Sequence, residues 1–112
     1  MPATSLADWL RAESDGALTE LLRTRRDLST PPPSDSTVLA TRAGTPGSVA
    51  RACEDLDSFT LAVLEACLLA GADRDPVPVE DVAKLVGTDV AEPLGRLRKR
   101  ALAWGADDAV RV

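Results

Sequence analysis

Apolar residues recur at helical spacing along nearly the whole chain, and the breaks in that spacing mark where one helix ends and the next begins. Ser5 followed three residues later by Asp8 resembles a capping box, and Leu6, Trp9 and Leu10 continue it as an i, i+3, i+4 stripe. This predicts a short first helix to about Ala12. Ser14 or Asp15 caps a second helix reaching about Leu28, with Leu18, Leu21 and Leu22 inward and Glu20, Arg23, Arg25 and Arg26 in water. Pro31, Pro32 and Pro33 lack N–H donors and hold residues 29–34 extended, as a short stiff connector. A third helix fits between Ser34 or Ser36 and Ala43, stopped by Gly44, Thr45, Pro46 and Gly47. Ser48 is expected to cap the fourth, in which Val49, Ala52, Cys53 and Leu56 share a face.

In the second half, residues 59–70 are apolar almost all the way round, with only Thr60 and Glu65 polar, and such a helix is normally central and buried. Gly71 ends it and a loop follows to Pro78. Val79, Val82, Ala83 and Val86 define a two-turn helix closed by Gly87. The next helix opens at Thr88 or Asp89 and becomes regular at Glu92 or Pro93. On a helical wheel Val90, Leu94, Leu97 and Ala101 form its core stripe, opposite Asp89, Glu92, Gly95, Arg96, Lys99 and Arg100. Residues 102–104 and 109–112, on either side of a turn at 105–108, read as two short strands. The expected fold is therefore all-α, mainly helical, with a small C-terminal β-hairpin. Residues 1–47 form an N-terminal helical subdomain with the proline connector, and 48–112 a winged-helix-like unit, a variant of helix-turn-helix.

Composition supports helix over sheet: the 45% apolar content rests on Ala, Leu and Val, with Trp9, Phe59 and Trp104 the only aromatics. A chain of 112 residues is long enough for one core. Its longest apolar run, residues 61–70, is interrupted by Glu65 and falls far short of the ~20 residues a membrane span requires. The start, Met1-Pro2-Ala3-Thr4, lacks the basic and apolar regions of a signal peptide, so a cytoplasmic location and no membrane partner are expected.

Histidine is absent, which removes the usual acid–base and nucleophile-activating imidazole, and Cys53 and Cys67 alone leave a zinc site short of ligands. Two reduced core thiols are favoured over a bridge. The glycines are too dispersed for a phosphate loop, and the carboxylate pairs Glu54/Asp55, Asp73/Asp75 and Asp107/Asp108 fall at predicted surface turns or helix ends. No catalytic residue, metal, cofactor or small-molecule substrate is expected.

The net charge of -5 disfavours nucleic acid except through a local patch, for which Arg96, Arg98, Lys99 and Arg100 are the candidates. Against them, Asp89 and Glu92 stand where a helix-turn-helix would meet the bases, and Asp107 and Asp108 stand at the predicted wing tip. The helix dipole and a Glu92–Arg96 pair account for the cations without a ligand. The leading expectation is an interaction module whose candidate interface residues are Trp9 and Trp104, near an apolar groove between the N-terminal helices and the C-terminal unit. The alternative is DNA-backbone binding through residues 96–100.

Several segments occur in an order that points to a family: Ser5-Leu6-Ala7-Asp8-Trp9-Leu10; Leu21-Leu22-Arg23 with Asp27-Leu28; the three prolines; Ser48-Val49-Ala50-Arg51-Ala52; Leu56-Asp57-Ser58-Phe59-Thr60-Leu61 with Val63-Leu64-Glu65-Ala66; and Leu94 with Leu97-Arg98 leading into Ala101-Leu102-Ala103-Trp104-Gly105. In these the chain resembles, over nearly its whole length, the N-terminal region of actinobacterial helicase-associated-domain proteins, which are related to XPB-type helicases. The resemblance implies the front piece of a longer bacterial polypeptide, or a free-standing relative, in a nucleic-acid-processing setting. No ATPase residue carries over, because no position matches one. Two departures stand out: Pro93 interrupts the last helix, and Val112 ends the chain where the family's sequence continues, so the second wing strand is expected to be short.

Overall fold

The computed structural model describes residues 4–112; Met1, Pro2 and Ala3, which carry part of the reading of the N-terminus, lie outside the described residues. Among the described residues the chain forms α1 (Leu6–Arg11), α2 (Asp15–Thr24), a 3₁₀ turn (Arg26–Ser29), α3 (Ser36–Ala43), α4 (Pro46–Glu54), α5 (Ser58–Leu69), α6 (Val79–Val86) and α7 (Ala91–Lys99). Four helices start on a side chain that accepts the N–H three residues on: Ser5 from Asp8, Ser14 from Ala17, Asp35 from Val38 and Asp57 from Thr60. Each satisfies a donor that has no partner inside its own helix. Gly87 closes α6 with φ 89°, a left-handed conformation that glycine adopts without penalty. Pro93 sits in the first turn of α7, where its missing N–H breaks no helical bond, and it is buried.

Two apolar clusters fill the molecule. Leu10, Leu21, Leu28, Leu39 and Ala43 form one across α1, α2, α3 and the 3₁₀ turn, and Ala101, just beyond α7, completes it. The larger one gathers Ala52, Val63, Cys67, Val82, Leu94 and Leu97 from α4 to α7, together with Leu102 and Val110 from the C-terminal segment. Both α6 and α7 pack against α5.

Arg25 joins the two clusters, which corrects its expected place in water. Its backbone (φ -111°, ψ 76°) stops α2 at Thr24 rather than near Leu28 and turns the side chain inward, where it is 2% exposed. Nη1 donates to the Arg100 carbonyl at 2.9 Å, and Nη2 donates to the Ala43 carbonyl and to Ser48 Oγ, both at 2.8 Å. Ser48 Oγ in turn donates to Asp27 Oδ2 at 2.5 Å. One guanidinium thus ties the ends of α3 and α7 to α4, and burial lowers its pKa from the ordinary arginine value, opposed by the charge of Asp27. Ser48 can play this part because it is not the cap of α4. That helix begins two residues earlier on Pro46, whose lack of an N–H suits a first helical position, so Ser48 is carried into the interior of the fold.

The C-terminal β-hairpin, and with it the wing of the winged-helix-like unit, is not present. Residues 101–103 are consumed in closing α7: Leu102 N–H (2.9 Å) and Ala103 N–H (3.3 Å) both return to the Leu97 carbonyl, and Ala101 takes a left-handed φ of 54°. Only Trp104 remains to pair, and it forms one isolated bridge with Arg111, while Val110 pairs instead with Val77 in the loop before α6. Two single bridges to different segments make no strand. The chain is mainly helical.

Candidate interaction site

The four cations predicted as a nucleic-acid patch divide into two pairs in the structure. Arg96 donates to Asp57 at 2.7 Å and to Glu92 at 2.6 Å, and Arg98 donates to Asp107 at 3.0 Å. Hydrogen bonding from Thr60 and then the charge of Arg96 hold the Asp57 carboxyl below the usual carboxylate range. Lys99 and Arg100 form no ion pair among the described residues. Acidic groups are therefore interleaved with half of the patch, where a phosphate-binding surface would leave its cations open.

The two tryptophans also separate. Trp104 is half-buried; its indole N–H donates to the Thr4 carbonyl at 2.8 Å, and the Arg111 guanidinium lies 5.8 Å from the ring centre, within cation–π range. Its polar end is committed inside the chain. Trp9 is half-buried on α1, and its indole N–H makes no hydrogen bond among the described residues. It lines a groove of about 610 Å³ that runs beside α2, with Leu18 and Leu21 on the same wall and Arg98, Lys99 and Arg100 on the opposite lip. Such a groove between the N-terminal helices and the C-terminal half was expected from the sequence at Trp9 or Trp104; it lies at Trp9.

A second surface was not foreseen. Helix α5, expected to be buried all round, turns Val63, Ala66 and Cys67 inward and leaves Phe59, Ala62, Leu68 and Leu69 exposed, with Leu61 half-buried beside them. Leu69 is 80% and Leu68 48% exposed, and Leu85 of α6 is exposed as well. Ser58 and Glu65 are the only polar residues on the outer face of α5. The signal was the all-round apolarity itself: a helix apolar on every side needs neighbours on every side, and the seven short helices among the described residues leave too few to surround one.

Glu54, Asp55, Asp73, Asp75, Asp107 and Asp108 are all exposed, and among the described residues no group of three or more His, Cys, Asp or Glu side chains could hold a metal. Cys53 and Cys67 are free thiols. Burial raises the pKa of both, pushing Cys67 up to about 11, while the charge of Arg25 partly offsets the effect at Cys53. Since the thiolate is the reactive form, an aromatic disulfide reagent at pH 8 is expected to modify half-buried Cys53 first and to reach Cys67 only as the chain unfolds. Two equal, fast equivalents in the native protein would contradict this.

No helix among the described residues is long and apolar enough to cross a membrane. The chain matches no family model, no curated protein and no solved structure.

Proposed function

We propose that the chain is a non-catalytic interaction module that binds another protein, or another part of its own parent polypeptide, in the bacterial cytoplasm. The observation that carries this reading is the outer face of α5, where Phe59, Ala62, Leu68 and Leu69 are exposed with only Ser58 and Glu65 as polar residues among them. Fully burying a leucine side chain is worth about 1.5–3 kcal/mol, so a partner that covers Leu68 and Leu69 gains substantially from these two positions. Contiguous apolar patches on helical domains commonly mark such contacts. The nucleic-acid-processing setting rests on the helicase-associated resemblance. DNA binding by residues 96–100 has less support, because Asp57, Glu92 and Asp107 occupy two of the four cations and the chain as a whole is anionic.

The test uses the double variant Leu68→Glu/Leu69→Glu, whose exposed positions leave the fold intact; its unfolding free energy is expected to stay within about 0.5 kcal/mol of the parent. Wild-type chain is expected to retain a partner from the source cell's extract that the variant loses, and to show no binding to duplex DNA in low salt. Equal capture by both proteins, or salt-sensitive DNA binding by the wild type, would overturn the reading.

A further inference from the structure

We propose that the groove between α1, α2 and the end of α7 is a second docking site, and that its occupant is an amphipathic segment of a partner protein, setting an apolar side chain against Trp9 and a carboxylate against Lys99 and Arg100. The proposal rests on the reading of the chain as a protein-binding module, but shares no residue with the exposed face of α5.

Three observations define the occupant. The groove, at about 610 Å³, is of the size that encloses a ligand or several side chains of a bound segment. Its α1–α2 wall is apolar through Trp9, Ala17, Leu18 and Leu21.

The third observation is charge. Arg98 on the lip is neutralised by Asp107, and on the facing wall Glu20 is held by Arg23 at 3.0 Å. Among the described residues, Lys99 and Arg100 remain as two adjacent cations with no ion pair, and of the groove's carboxylates Glu13 has none either. In a chain of net charge -5 this is a local positive lip facing an apolar wall. A segment with apolar and acidic faces complements both sides at once. A nucleic acid complements only the lip, because its phosphates gain nothing from Leu18 and Leu21.

The experiment selects 12-residue peptides from a random phage-displayed library on the full chain, then follows the best synthetic peptide by the indole N–H resonances of the two tryptophans. Expected are sequences that combine a large apolar residue with Asp or Glu and shift the Trp9 resonance while leaving Trp104 in place. Lys99→Glu/Arg100→Glu is expected to weaken binding at least about fivefold, the size of two lost surface ion pairs. It keeps the Arg100 carbonyl on which Arg25 relies. Lys99→Glu alone, at an exposed position, shows the same direction should the double variant fold poorly. Binding is expected to survive Leu68→Glu/Leu69→Glu. Peptides that are basic or uncharged, or that leave Trp9 unshifted, overturn the proposal. So does loss of binding in the Leu68/Leu69 variant with Lys99 and Arg100 indifferent; that result keeps the α5 reading and discards the groove. An oligothymidylate that shifts Trp9 with steep salt dependence replaces the peptide with nucleic acid.

Discussion

Arg25→Ala is expected to remove about 3–5 kcal/mol from the unfolding free energy, a large share of the 5–15 kcal/mol typical of a small domain. The guanidinium is the donor for the Ala43 and Arg100 carbonyls, and both acceptors lie at helix ends, where the helix itself supplies none. Each buried acceptor left without a donor costs about 1–3 kcal/mol, and the emptied volume adds a packing loss. Ser48 and Asp27 would lose the cation beside them. Arg23→Ala is the control. It lies two residues away in a run of similar sequence, but its side chain is exposed and its pair with Glu20 is in solvent, so the loss should stay within about 0.5 kcal/mol. Urea unfolding followed by circular dichroism measures both. If the two variants lose equal stability, the role assigned to Arg25 is wrong.

Gly105→Ala should be nearly as damaging, at about 3 kcal/mol or more, or should release the C-terminal segment altogether. The glycine has φ 91°, outside the range L side chains favour, and a β-carbon there would stand 2.1 Å from the Ala109 carbonyl oxygen. That contact is to backbone, so the turn itself must open. With it go the bridges from Trp104 to Arg111 and from Val77 to Val110, and Val110 is a fully buried member of the larger core. Gly95→Ala gives the opposite sign. Within α7 a β-carbon at Gly95 meets nothing within 4 Å, and alanine is the better helix former by about 1 kcal/mol. Thermal unfolding of the two variants should bracket the wild type; a Gly105→Ala protein as stable as wild type would refute the assigned geometry.

The candidate surfaces were unequally legible. The apolar groove near Trp9, the basic run at 96–100 and the Glu92–Arg96 pair could be read from residue types and spacing, but the sequence could not say that Asp57 would join Arg96, or that Arg98 would be neutralised while Lys99 and Arg100 would not. The carboxylate on Arg98 comes from Asp107, and one of those on Arg96 from Asp57, 39 residues away. The outer face of α5 was misjudged because its composition reveals apolarity and leaves open which side is covered.

Local chemistry determined most of the helices. Ser5, Ser14 and Asp57 each accept the N–H three residues on, Gly87 takes the left-handed turn, and Val90, Leu94 and Leu97 recur on one buried face; all of these act within about one turn of helix. Tertiary structure alone decided the rest. Arg23, Arg25 and Arg26 look equivalent in sequence, and Arg25 is drawn inside by acceptors 18, 23 and 75 residues away. The hairpin was lost in the same way: residues 102–104 and 109–112 have strand character, yet the closure of α7 takes the first of them and Val77 takes Val110. A cap or an apolar period is settled by neighbours along the chain, whereas the partner of a buried charge or a lone bridge is settled by whichever acceptor packing brings within hydrogen-bonding reach.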